Sequence, residues 1–170
     1  MNPQKTSTNS LLLARRVPRK WRESPIPSGM SAIDLSTGRR RQYPGWLTGK
    51  GPWALFRTES FSCRLDEFRV ESSDGDPLDI ACEFVVEFVP RDKDHLETLL
   101  RWGEIIVMKD FMISTIQRNL RASGTESSQF ITHAELFKRF TRILTEILSE
   151  GGGCLRKFQF KQIARPRADK

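Results

Sequence analysis

From Leu78 to Val89 the chain reads LDIACEFVVEFV, with Leu78, Ile80, Cys82, Phe84, Val86 and Phe88 at every second position. A period of two places these six apolar side chains on one face of an extended chain, so the segment predicts one long strand with a buried face. Ser72-Ser73-Asp74-Gly75-Asp76-Pro77 precedes it and Pro90-Arg91-Asp92 follows it, both rich in turn-forming residues. Upstream, Phe61, Cys63 and Leu65 alternate, then Phe68 and Val70 resume the alternation one residue late. The extra residue at Asp66-Glu67 predicts a β-bulge. Residues 58–89 therefore read as an antiparallel pair whose solvated face sets Asp79, Glu83 and Glu87 opposite Arg64 and Arg69.

From Asp94 the apolar spacing becomes helical. Leu96, Leu99 and Leu100 stand at i, i+3 and i+4 before Gly103, which predicts a short helix ending there. A second helix over residues 104–121 places Ile105, Met108, Met112 and Ile116 on one stripe, with Ile106, Ile113 and Leu120 beside it. So wide an apolar surface must be covered by the sheet and by something more, either a third helix or a neighbouring subunit. Thr132-His133-Ala134-Glu135 is a capping box, and Leu136, Phe140, Ile143, Leu144, Ile147 and Leu148 continue it as an amphipathic helix of about four turns. Gly151-Gly152-Gly153 stops that helix and lets the chain reverse without steric cost. Phe158 and Phe160 then alternate with Lys157, Gln159 and Lys161 in a last strand that ends at Pro166.

The first 22 residues hold Lys5, Arg15, Arg16, Arg19, Lys20 and Arg22, no acid, and only Leu11-Leu12-Leu13-Ala14 as an apolar run. That run falls far short of the roughly 20 residues of a membrane span and is shorter than a signal-peptide core. Mitochondrial and other organelle transit peptides share the composition, but a disordered basic arm over residues 1–25 is the simpler reading. Residues 26–167 then make one domain and residues 168–170 a tail. Folding is expected to start near Met30: Met30 to Leu35, the turn Ser36-Thr37-Gly38 and the return strand Arg39 to Tyr43 form a hairpin. Trp46 to Phe56 follows as a Gly/Pro-punctuated loop. Its Gly49-Lys50-Gly51 lacks the first glycine at the required spacing, and the Ser or Thr after the lysine, that a phosphate-binding loop needs.

Charge is unevenly spread: residues 1–57 carry 11 Lys/Arg against 2 Asp/Glu, residues 58–155 carry 11 against 18, and residues 156–170 carry 6 against 1. Basic ends with an acidic middle suit nucleic acid, an anionic membrane surface, or subunits stacked basic on acidic. Cys63, Cys82 and Cys154 form no C-x-x-C pair, so neither a disulfide framework nor a zinc site is expected, and Cys63 and Cys82 read as buried core thiols. His95 and His133 stand at helix starts, where capping and surface roles are the expectation. No Ser, His, Asp or Glu spacing points to nucleophilic or acid–base catalysis. Neither an enzyme nor a cofactor is expected.

The order hairpin, long antiparallel pair, helices and final strand resembles the SPFH or band 7 family, which includes stomatin, prohibitin, flotillin and the HflK and HflC proteins. The resemblance covers roughly residues 25–167. It begins at Ile26-Pro27-Ser28-Gly29-Met30-Ser31-Ala32-Ile33 and Pro44-Gly45-Trp46, and continues through the strand Phe61 to Val70 and the turn Ser72-Ser73-Asp74-Gly75-Asp76-Pro77-Leu78-Asp79. It extends to the helix Val107 to Arg121 and to Gln162-Ile163-Ala164-Arg165-Pro166. Two features depart from the family pattern: no N-terminal hydrophobic anchor or C-terminal coiled coil is seen in this sequence, and the glycine triplet replaces a charged helix-to-strand link.

The fold expected is α+β, a twisted antiparallel sheet packed against two to three helices. The resemblance implies a non-enzymatic, membrane-associated scaffold that forms homo- or hetero-oligomers and regulates a partner such as a membrane protease or channel, intracellular and either cytoplasmic or peripheral to a membrane. Trp46, Lys50, Trp53 and Phe56 are expected at the membrane surface, where Trp sits at the interface and basic side chains reach head groups. Arg39, Arg40, Arg41, Glu83, Glu87, Arg156 and Lys157 are expected at oligomer contacts, the acidic middle of one subunit meeting the basic end of the next. The alternative is a basic nucleic-acid-binding module, with Arg39-Arg40-Arg41 and the tail Arg156, Lys157, Lys161, Arg165, Arg167 and Lys170 on phosphates.

Overall fold

A computed structural model of the 170-residue chain describes residues 12–17, 24–47, 51–71, 77–122 and 133–164. Along the chain these form β1 (Ala14–Val17), β2 (Ser24–Pro25), β3 (Met30–Asp34), β4 (Arg40–Gln42), β5 (Trp46–Leu47), β6 (Trp53–Arg57), β7 (Phe61–Glu71) and β8 (Pro77–Phe88). Three helices, α1 (Lys93–Trp102), α2 (Ile105–Ala122) and α3 (His133–Glu150), precede the last strand, β9 (Gly153–Ala164). The architecture is α+β with antiparallel sheets. It does not hold the single sheet expected from sequence: β7, β8 and β9 make one sheet, β1, β6, β3 and β4 a second, and β2 with β5 a small ribbon.

The long alternating segment is β8, the centre of the three-stranded sheet. Ile80, Cys82, Phe84, Val86 and Phe88 point to one face and are fully buried with Cys63, Leu65, Phe68 and Val70 of β7. The bulge expected at Asp66-Glu67 is present, since Leu65 pairs with Cys82 and Phe68 with Ile80. β9 carries two irregularities of the same kind. Val86 pairs with Leu155 and Val85 with Lys157, and Cys82 pairs with Phe160 and Ala81 with Gln162, so Arg156 and Lys161 are extra residues. Those two insertions keep Leu155, Phe158, Phe160 and Ile163 on the inner face although they are not evenly spaced by two.

All three helices lie against that inner face, α2 over β7 and α3 over β9. Met108, Met112 and Ile116 of α2 and Phe140, Leu144 and Leu148 of α3 are fully buried, so the main α2 stripe is covered within the chain by the sheet and α3, while Ile106 beside it stays exposed. Asp92 caps α1 by accepting from the His95 amide at 2.9 Å, and Gly103, at φ 64°, ends it. Of the glycine triplet only Gly152, at φ 72°, needs a left-handed conformation. Gly151 and Gly153 are required for space: a Cβ would come within 2.8 Å of the Trp102 ring and 2.7 Å of the Phe88 ring respectively. The turn over residues 72–76, Thr132 of the capping box, and Arg165-Pro166 lie outside the described residues.

The expected boundary at residue 26 is not where the fold begins. Leu13 and Ala14 are buried, β1 pairs along its length with β6, and the Leu13 and Ala14 amides both donate to the Gly103 carbonyl, at 2.8 and 2.9 Å. Arg57 donates its amide to Leu13 O at 2.8 Å and its Nε to Leu12 O at 3.1 Å. The short apolar run at Leu11 to Ala14 therefore reads as part of the fold from Leu12 on, held between β6 and the α1–α2 junction. β3 and β4 form the expected hairpin. One face of the four-stranded sheet, with Ala14, Ala54 and Phe56, joins the main core; the other, with Val17, Met30, Ala32, Trp53 and Leu55, makes a second small core under Ile26 and Leu47 of the ribbon region.

Candidate functional site

The hairpin β3–β4 and the segment leading to β5 present a corner of exposed residues. Arg39, Arg40, Arg41, Tyr43 and Trp46 are all on the surface, and Tyr43 and Trp46 are each 56% exposed. Two of the arginines are anchored at backbone oxygens. Arg40 donates to the Pro90 carbonyl, tying the hairpin to the loop after β8, and Arg41 donates to the Trp46 carbonyl at 2.9 Å with its guanidinium 5.7 Å from the Trp53 ring centroid. The hydrogen bond from Arg41 holds the Trp46 backbone against that arginine, while Arg40, the preceding residue of β4, points to the opposite face of the sheet.

Of the side chains expected at a membrane surface, Trp46 is the exposed one among the three that are described. Trp53 is 6% and Phe56 2% exposed, because β6 lies centrally in the four-stranded sheet and is covered on both faces. An apolar run entered from a Gly/Pro-rich loop has the same sequence signature whether it is an exposed anchor or a two-sided core strand. Lys50 lies outside the described residues. Tyr43 was not singled out from sequence; its place before Pro44-Gly45, in a turn where an aromatic has no strand face to fill, is the signal that marks it.

Three of the residues expected at oligomer contacts, Glu83, Glu87 and Arg156, make ion pairs within the chain. On the outer face of the three-stranded sheet Arg156 reaches the Glu87 carboxylate through Nη2 at 2.7 Å and Nε at 3.1 Å, and Lys161 reaches Glu83 at 2.7 Å. Arg156 and Lys161 are the two extra residues of β9, so the bulges aim these cations back over the sheet at the β8 acids. Part of the charge asymmetry along the sequence is thereby compensated between adjacent strands. Lys157 stands between them with no ion pair among the described residues.

Glu83 accepts from Lys161 Nζ, from Ser62 Oγ at 2.7 Å and from Gln159 Nε2 at 3.0 Å, and these three donors, Lys161 first, hold its carboxyl down to about 2. Arg69 forks onto Asp79 at 2.8 and 3.2 Å, which lowers the Asp79 carboxyl and raises the guanidinium. Arg64 pairs with Asp66 at 3.3 Å instead of with Glu83 across the strand. A shallow hollow of about 420 Å³ lies over this face, lined by Ser62, Glu83, Val85, Lys157 and Gln159 among others. Its one carboxylate is already saturated by donors, which suits a held charge and not a proton donor.

Cys63 and Cys82 lie in the main core as expected, and burial pushes their thiols up to about 11 and about 12, so both are protonated and unreactive at neutral pH. Among the described residues no group of three or more His, Cys, Asp or Glu side chains is placed to hold a metal ion, and no helix is long and apolar enough to cross a membrane. α2 leaves Ile106, Val107 and Phe111 on the surface. Compared with known proteins, the chain matches no protein-family profile and no curated protein.

Proposed function

We propose that this domain is a non-enzymatic scaffold that associates at a membrane surface, forms oligomers and organises a protein partner such as a membrane protease or channel. The observation that carries the reading is exposed Trp46, whose backbone carbonyl is held by the Arg41 guanidinium, with exposed Tyr43 three residues before it. Aromatic rings with a polar edge favour the head-group region of a bilayer, and neighbouring cations add attraction to anionic lipid. The chain order also supports it: a long hairpin, three helices and a strand that returns to β8 is the order on which the resemblance to the SPFH or band 7 family rests. The exposed Ile106, Val107 and Phe111 of α2 offer a second apolar surface suited to contact between subunits.

The test is flotation with vesicles of neutral or anionic lipid, run beside mass photometry at physiological salt. The protein is expected to float with anionic vesicles, to be released by high salt, and to lose binding when Trp46 and Tyr43 are both changed to Ala. Oligomers are expected in the second measurement. Monomers alone, with no flotation on either vesicle, would remove this reading.

A further inference from the structure

The two edges of the three-stranded sheet are treated differently. On β7 the Arg69 carbonyl accepts from the Gln117 side chain of α2 at 2.7 Å and Arg121 holds Glu71 at 3.1 Å, so α2 side chains reach over that edge. Such features close an edge to another strand. On β9, among the described residues, only β8 pairs with the strand. Between its bulges at Arg156 and Lys161, residues 157–160 form a regular stretch opposite Cys82 to Val85.

The inner side of that stretch is incompletely covered. Phe84 and Cys82 on β8 are fully buried, whereas Phe158 and Phe160 across from them are half-buried. Phe137 of α3 sets its ring 5.0 Å from Phe158, tilted, and 6.2 Å from Phe160, edge-on, yet remains 38% exposed. The outer side is basic, because Glu87 and Glu83 neutralise Arg156 and Lys161 while Lys157, at the rim of the hollow beside Gln159, has no ion pair among the described residues.

We infer that the β9 edge receives an extended segment of a partner protein, with apolar and acidic residues in alternation, as an added strand. Residues set opposite Phe158 and Phe160 face the aromatic ledge and must be apolar, and the residue opposite Lys157 faces outward and is matched by a carboxylate. The backbone of the partner supplies the ladder hydrogen bonds and its side-chain alternation supplies the selectivity. A second copy of β9 is the poorer occupant, since it brings another Lys157 to the same edge. The inference rests on the reading of the chain as an association domain, and names its partner surface without depending on the membrane contact.

The test uses the full chain and fluorescent peptides read by anisotropy, with amide NMR shifts to place the contact. The peptides alternate Val with Glu, alternate Val with Lys, or repeat the Val/Glu peptide with a central proline. The Val/Glu peptide is expected to bind and to shift residues 157–160, and the proline version to bind at least about tenfold more weakly. Lys157→Glu is expected to weaken the Val/Glu peptide by about tenfold and to capture the Val/Lys peptide instead. Phe137→Ala, a change at a half-open position, is expected to weaken both pairings without altering circular dichroism. No binding by the folded wild type, equal binding of the proline peptide, shifts away from β9, or a β9–β9 dimer that the peptide leaves intact would each overturn the inference. Vesicle flotation of the same sample keeps its failure separate from failure of the scaffold reading.

Discussion

The three-stranded and four-stranded sheets hide apolar side chains by different means. β8 buries one face under helices and turns the other to solvent, where its acids are neutralised by cations from β7 and β9. β6 has no solvent face: Trp53, Ala54, Leu55 and Phe56 are all buried, alternately in the main core and in the small core under the ribbon region. The contrast teaches that alternation is written into a strand only when one of its faces stays wet. A strand covered on both sides reads as a plain apolar run, and such a run is easily taken for an exposed anchor.

If that contrast is right, the heaviest loss follows from emptying β6. Phe56→Ala should cost about 3–5 kcal/mol in chemical denaturation, a value typical of a buried aromatic truncated to Ala. A surface anchor at this position would instead show little change in stability and a loss of vesicle binding. Filling the space beneath the helices comes next. Gly151→Ala pushes a methyl into the Trp102 ring and should cost about 1–3 kcal/mol, seen as a lower denaturation midpoint at unchanged slope.

Smaller effects belong to the rim of the larger sheet. Gln117→Ala leaves the Arg69 carbonyl without its side-chain donor and should cost about 1 kcal/mol, with faster amide exchange confined to the β7 edge. The outer-face charges should matter least, and mainly through pH. The Glu83 carboxyl is held at about 2 against an ordinary 4.5, so the stability it contributes is complete above the ordinary value and is lost as pH falls through the folded one. Glu83→Gln should therefore flatten the acid-denaturation curve between those two values and change little at neutral pH. An unchanged acid limb would show that the three donors do not hold the carboxylate in solution.

How much of this was legible beforehand depends on the element. The step from Leu65 to Phe68 gave away the β7 bulge, and the same three-residue step recurs from Leu155 to Phe158 and from Phe160 to Ile163. In β9 it was hidden by the flanking lysines and arginine, which fit an evenly alternating strand equally well. The exposed corner was half legible: Trp46 was expected at the surface and is there, but Trp53, seven residues on, differs only in what packs over it. β1 was missed because a four-residue apolar run among six basic residues has no period to read.

Sequence alone determined where the long strands and three helices lie and which face of each is apolar, because those patterns are local and repeat with the geometry of one element. Tertiary structure decided what covers the opposite face of β6, that Leu13 and Ala14 dock on the Gly103 carbonyl, and that Arg156 and Lys161 turn onto Glu87 and Glu83. Each of these joins groups far apart in the chain. Their pairing is selected by the free energy of closing the whole core, which no short window of residues contains.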